Sequence, residues 1–139
     1  MPVLLKVHRP KNLLYVRYSG FAGISESMQA FSTYMSRPDF QSGRDLLVDL
    51  SHLTGHEKAS PHLIRHHAQM TEVFQSKGRR PLVVFYAPTR VAQGMALLSA
   101  RPWDQLDIIT PVILEQEIDV LEMLGVTEPN LEAFLQETL

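Results

Sequence analysis

A chain of 139 residues that is 45% hydrophobic can bury one sizeable core and is too short for two, so residues 1–139 are expected to form a single domain. It has no cysteine, which excludes a disulfide framework and thiolate chemistry on its own side chains. The formal net charge of -2 conceals a split: all 13 Lys and Arg lie at or before Arg101 against six acids, net +7, while residues 102–139 carry nine acids and no base. Such a split favours a positive and a negative face, which suits an anionic ligand or association of one copy with another as a homo-oligomer. The N-terminal MPVLLKVHRPKN lacks the apolar core and small-residue cleavage site of a secretory signal. No stretch approaches the roughly 18 consecutive apolar residues of a membrane span. A cytoplasmic protein, not embedded in a membrane, is the expectation.

In chain order, residues 3–7 and 13–18 are rich in Val, Leu and Tyr and predict two strands joined by the turn Arg9-Pro10-Lys11-Asn12. Both faces of the second strand are largely apolar. Ile24, Met28, Phe31 and Met35 recur at helical spacing and Pro38 ends that helix. Residues 44–50, RDLLVDL, predict a strand buried on both sides. A polar loop follows at 51–59, and Ser60-Pro61 opens a helix to about residue 76. PLVVFY at 81–86 is a further buried strand. The helix after it places Val91, Met95 and Leu98 on one face and carries Gly94 in its middle, for which a close approach of helix to sheet is a motive. Pro102 is expected to stop this helix. Residues 106–114 predict a last strand, with Pro111 marking a sheet edge. An acidic helix follows from 115 to 124, ended by Gly125. A C-terminal helix occupies 127–139, beginning near Thr127, with Leu131, Phe134 and Leu135 on one stripe.

The predicted order is β-β-α-β-α-β-α-β-α-α: an α/β fold with a mixed, mostly parallel five-stranded sheet and helices on its faces. Ligands of such sheets bind beyond the carboxyl ends of the strands, here the loops at 51–59 and 87–90.

This order, with the segment VDLSHLTG at 48–55, resembles the STAS or anti-sigma-factor-antagonist family. Residues 94–125, GMALLSARPWDQLDIITPVILEQEIDVLEMLG, look like the closing half of its SpoIIAA-like, SEC14-type bacterial branch. The resemblance covers about residues 3–125. It implies a small regulatory module that binds a partner protein or an apolar, lipid-like molecule without catalysis. The phosphorylated serine of the classical members lies in an Asp-Ser-Ser-Gly-type motif; the matching positions here are Glu57 and Lys58, so a phosphoserine switch is not implied.

Five of the six histidines fall between 52 and 67. His67 shares an apolar stripe with Leu63, Met70 and Phe74 and reads as core. His62 and His66, four apart on the helix shoulder, have a spacing at which two imidazoles can reach one cation, and His52 and His56 could add nitrogens. The pattern lacks the glutamate of His-Glu-x-x-His. Asp49, Ser51 and His52 are residue types of a hydrolytic triad, though sequence proximity alone does not supply its geometry. Gly-x-Gly-x-x-Gly, a phosphate loop and Gly-x-Ser-x-Gly are all absent. Arg90, at the start of a helix, is placed to bind an anionic group together with the helix amides. The basic run Lys77, Arg79 and Arg80 lacks aromatic interleaving, so nucleic acid is not an expected partner.

The expected function is therefore a non-enzymatic binding or regulatory module without a cofactor. It would hold a partner protein or a small amphiphile on Ser51, His52, Thr54, His56, His62, His66, Tyr86 and Arg90. The alternative is a zinc-type enzyme on His52, His56, His62 and His66.

Overall fold

The computed structural model describes residues 3–41, 44–56, 60–61, 65, 69, 81–104 and 111–136, with the backbone alone for 102–104. Strand β1 (Val3–His8) turns through a 3-10 turn, Arg9–Lys11, into β2 (Leu13–Ala22). Asn12 closes this turn in the left-handed region at φ 50°, where asparagine is one of the few tolerant side chains. Helix α1 (Ile24–Met35), β3 (Asp45–His56), β4 (Val83–Tyr86), α2 (Arg90–Asp104), β5 (Val112–Leu114), α3 (Glu117–Leu124) and α4 (Leu131–Leu135) follow. Most of the helix expected at 60–76 lies outside the described residues, although Pro61, Arg65 and Gln69 have helical backbone.

The five strands lie in the order β1-β2-β3-β4-β5. β1 is antiparallel to β2, and each later pair is parallel. The fold is thus α/β with a mixed, mostly parallel sheet, and Pro111 does precede an edge strand. Because the parallel strands follow one another in space as they do in sequence, every crossover steps the same way, and the right-handed rule sends the crossover helices to one face. Accordingly α1 and α2 pack on one face through Phe31, Tyr34, Ala92, Met95, Ala96 and Ala100, against Leu14, Val16, Leu46, Val48, Leu50, Leu53, Val83 and Phe85. The opposite face carries Leu13, Tyr15, Leu47 and Val84 and is covered by α3 and α4 through Val120, Leu121, Leu131, Phe134 and Leu135. His8 closes this second core, its ring stacked on Phe134 at 4.1 Å between centroids.

Several boundaries and faces differ from the sequence reading. The buried face of α1 is Ile24, Ser27, Phe31 and Tyr34, while Met28 and Met35 are exposed. Two polar groups replace the methionines because each has a partner: Ser27 Oγ shares a 3.0 Å hydrogen bond with Tyr18 OH, and Tyr34 OH accepts from buried Arg44 at 2.8 Å. Helix α2 runs past Pro102 to Asp104. Helix α4 starts at Leu131 rather than near Thr127, because Asn130 caps it, accepting the Ala133 amide at 2.7 Å. β3 continues to His56 instead of ending at Leu50, so residues 51–56 are strand and not loop. The long β2 supplies the pairing, which runs to Ala22↔His56, and Leu53 is buried.

Gly94 faces the sheet, but a Cβ built on it would stand 3.7 Å from His56 Nε2, an ordinary contact. The close approach does not require a glycine, and a mid-helix glycine costs about 0.5–1 kcal/mol against alanine. Gly94→Ala should raise the unfolding free energy by about that amount in denaturant titration; a loss would mean that the helix sits closer to the sheet than this.

Candidate functional site

Asp49 lies in the first half of β3, 3% exposed, paired across the sheet with Arg17 of β2 and with Tyr86, the last residue of β4. In parallel strands such partners share a face, here the face covered by α3 and α4. A buried carboxylate needs hydrogen-bond donors. Tyr15 OH donates to Asp49 Oδ2 at 2.5 Å. The Ser51 amide and hydroxyl donate to Oδ1 at 2.9 and 2.6 Å. Arg17 Nε donates to Tyr15 OH at 2.8 Å and lies 3.8 Å from Oδ2. Burial, and then the Asp49 charge, push the Tyr15 phenol well above its ordinary value, so it stays a donor. Tyr86 is raised by burial and by the charges of Glu117 and Asp49.

Two register shifts between β2 and β3 decide what joins this group. The first falls between the pairs Arg17↔Asp49 and Ser19↔His52. One extra residue in β3 there sets Ser51 and His52 side by side on the Asp49 face, and Ser51 Oγ lies 3.1 Å from His52 Nδ1. The second falls between Gly20↔Leu53 and Phe21↔Gly55. It reverses the alternation again, so His56, four residues after His52, turns to the other face beside Gly94 of α2.

Over the network opens a cleft of about 610 Å³. Its floor is Lys6, Arg17, Asp49, Ser51, His52 and Tyr86; its wall is Glu117 of α3 with Leu131, Glu132 and Leu135 of α4 and Gln136 beyond it. Glu117 Oε1 accepts the Leu131 amide at 2.6 Å, which ties the start of α4 to the start of α3 and holds the wall over the floor.

Of the residues expected at a site, Ser51, His52 and Tyr86 are brought together. Thr54 is exposed farther along β3, and Arg90 is exposed in the first turn of α2, whose buried side chains belong to the other face. His62 and His66, like His67, lie outside the described residues. Among the described residues no three His, Cys, Asp or Glu side chains are grouped to hold a metal ion. Asp49, Ser51 and His52 do touch, but the serine is central: its hydroxyl proton goes to Asp49, whereas a triad needs the histidine between acid and serine. Lys6, Tyr15, Arg17, Glu117 and Glu132 were not legible as site residues. The one local signal was Tyr15-x-Arg17, two polar-tipped side chains on one face of an otherwise apolar strand.

No family model matches the chain, and no curated protein matches it. Among the described residues no helix is long and apolar enough to cross a membrane.

The raised phenols make stability fall at high pH. Tyr18, buried against Ser27, is pushed up to about 12 and Tyr15 is also raised, against an ordinary value of 10.0. The folded state therefore holds these protons more tightly than the unfolded chain. The contribution is complete below about pH 10 and is lost as pH rises through the folded values. Denaturant melts should show an unfolding free energy that declines above about pH 10, with a shallower decline in Tyr15→Phe and Tyr18→Phe; an unchanged slope in both variants would contradict this.

Proposed function

We propose that the protein is a non-enzymatic binding module whose site is the cleft between the exposed part of one sheet face, formed by β1 to β4, and helices α3 and α4, and whose ligand is a small amphiphile. The observation that carries this reading is the buried Asp49 network forming the floor of an open cleft. A carboxylate withdrawn from water and supplied with fixed donors is a pre-organised polar surface, and Leu131 and Leu135 on the wall add an apolar side for a tail. Concave sites of several hundred Å³ with a few placed polar groups are the usual form of small-ligand sites. We further propose that the chain is a SpoIIAA-like, STAS/SEC14-type regulatory domain. The antiparallel first strand followed by consecutive parallel strands supports that resemblance, which itself implies binding and not catalysis. A four-histidine zinc enzyme draws no support from His52 and His56, which face opposite sides of the sheet.

Native mass spectrometry of the gently purified protein, followed by analysis of its organic extract, tests the reading. A bound small amphiphile is expected. A hydrogen bond to a charged group contributes about 1.5–3 kcal/mol, so Arg17→Gln should lower retention by roughly tenfold or more, while Arg90→Ala, on the other face, leaves it unchanged. Loss of the ligand in Arg90→Ala with retention in Arg17→Gln would move the site away from the cleft. An extract without any bound molecule, with no binding by added amphiphiles, would leave a partner protein as the occupant.

A further inference from the structure

The cleft is divided by charge. Lys6 sits opposite Tyr15 in the β1–β2 ladder, and Arg17 is two residues on from Tyr15, so the two cations are diagonal neighbours on one face, about 7–8 Å apart at the backbone. Like charges at that spacing repel. Among the described residues no carboxylate pairs with Lys6, and Arg17 enters the Asp49 network through Nε alone, which leaves its two terminal amino groups for another partner. Asp49 is already committed to Tyr15 and Ser51. The opposite side of the cleft is acidic: Glu117, one of whose oxygens takes the Leu131 amide, and the exposed Glu132. Tyr86 stands in the lining with them, and an aromatic ring adds cation–π attraction for an ammonium group.

We infer that the ligand's head group is a zwitterion whose anionic group lies against Lys6 and Arg17 and whose ammonium group lies against Glu117 and Glu132. This rests on the cleft being the binding site. A purely anionic head would leave two carboxylates facing it, and a purely cationic head would meet Lys6 and Arg17; only a head with both charges meets an opposite charge on each side. The apolar wall of Leu131 and Leu135 is then left for the tail.

Calorimetric titration with three decyl amphiphiles below their micellar concentrations, decylphosphocholine, decyl sulfate and decyltrimethylammonium, separates the cases. The phosphocholine is expected to bind at least about tenfold more tightly than either singly charged probe. Lys6→Gln should weaken the phosphocholine and the sulfate several-fold and spare the ammonium; Glu132→Gln should weaken the phosphocholine and the ammonium and spare the sulfate. Both side chains lie at the cleft surface, and circular dichroism verifies that the variants are folded. Sulfate binding as tight as phosphocholine binding, indifferent to Glu132→Gln, overturns the zwitterion but leaves the binding site standing. No binding by any probe overturns both.

Discussion

The burial of the Asp49 carboxylate is the constraint on which the site depends. A charge 3% exposed carries a desolvation cost of several kcal/mol unless donors surround it, and the chain supplies them from β2 and from its own next turn of strand. Tyr15, Arg17 and Ser51 are thereby fixed relative to one another. Removing one donor would leave the carboxylate or the phenol underpaired, so these residues behave as a unit and not as independent contacts. Structure and site are coupled here: Arg17 and Ser51, which belong to the network around the buried acid, are also part of the cleft floor.

The winding of the sheet places the cleft. Ligands of doubly wound sheets lie at the point where strand order reverses and the helices part. Here the parallel strands advance without reversal, so α1 and α2 share one face and the opposite face is left to α3 and α4, which follow β5. The cleft sits under that later pair, over the middle of β2 and β3 and the last residue of β4. The loop entering α2, with Arg90, belongs to the other side. The cleft therefore meets the general rule only at Tyr86, the carboxyl end of β4, and lies on the face opposite the loop entering α2.

Much of the fold was legible because it follows from local patterning. The apolar runs at 46–50 and 83–85 and the Leu131–Phe134–Leu135 stripe correspond to buried positions, and Gly125 ends α3 in the left-handed conformation. Periodicity failed where polar groups are buried with partners, as at Ser27 and Tyr34, and where an alternation is broken. Ser51 to His56 reads as a polar loop because two single-residue insertions in β3 hide its period of two. Those insertions also decide the site. They bring His52 to Asp49 and turn His56 away, so histidines that look like one cluster in sequence part company. Lys6 and Arg17 reach the cleft through cross-strand pairing, and Glu117 and Glu132 through the packing of α3 and α4, relations that no local window contains.

The most direct test of the account is amide NMR of the isotopically labelled protein titrated with decylphosphocholine. The expected result is that resonances of Arg17, Ser51, His52, Tyr86 and Leu131 move together along a single saturating curve, while Arg90 and Gly94 on the opposite face stay in place. Saturable shifts centred on Arg90 and Gly94, with Ser51 and Leu131 unmoved, would contradict the placement of the site over Asp49.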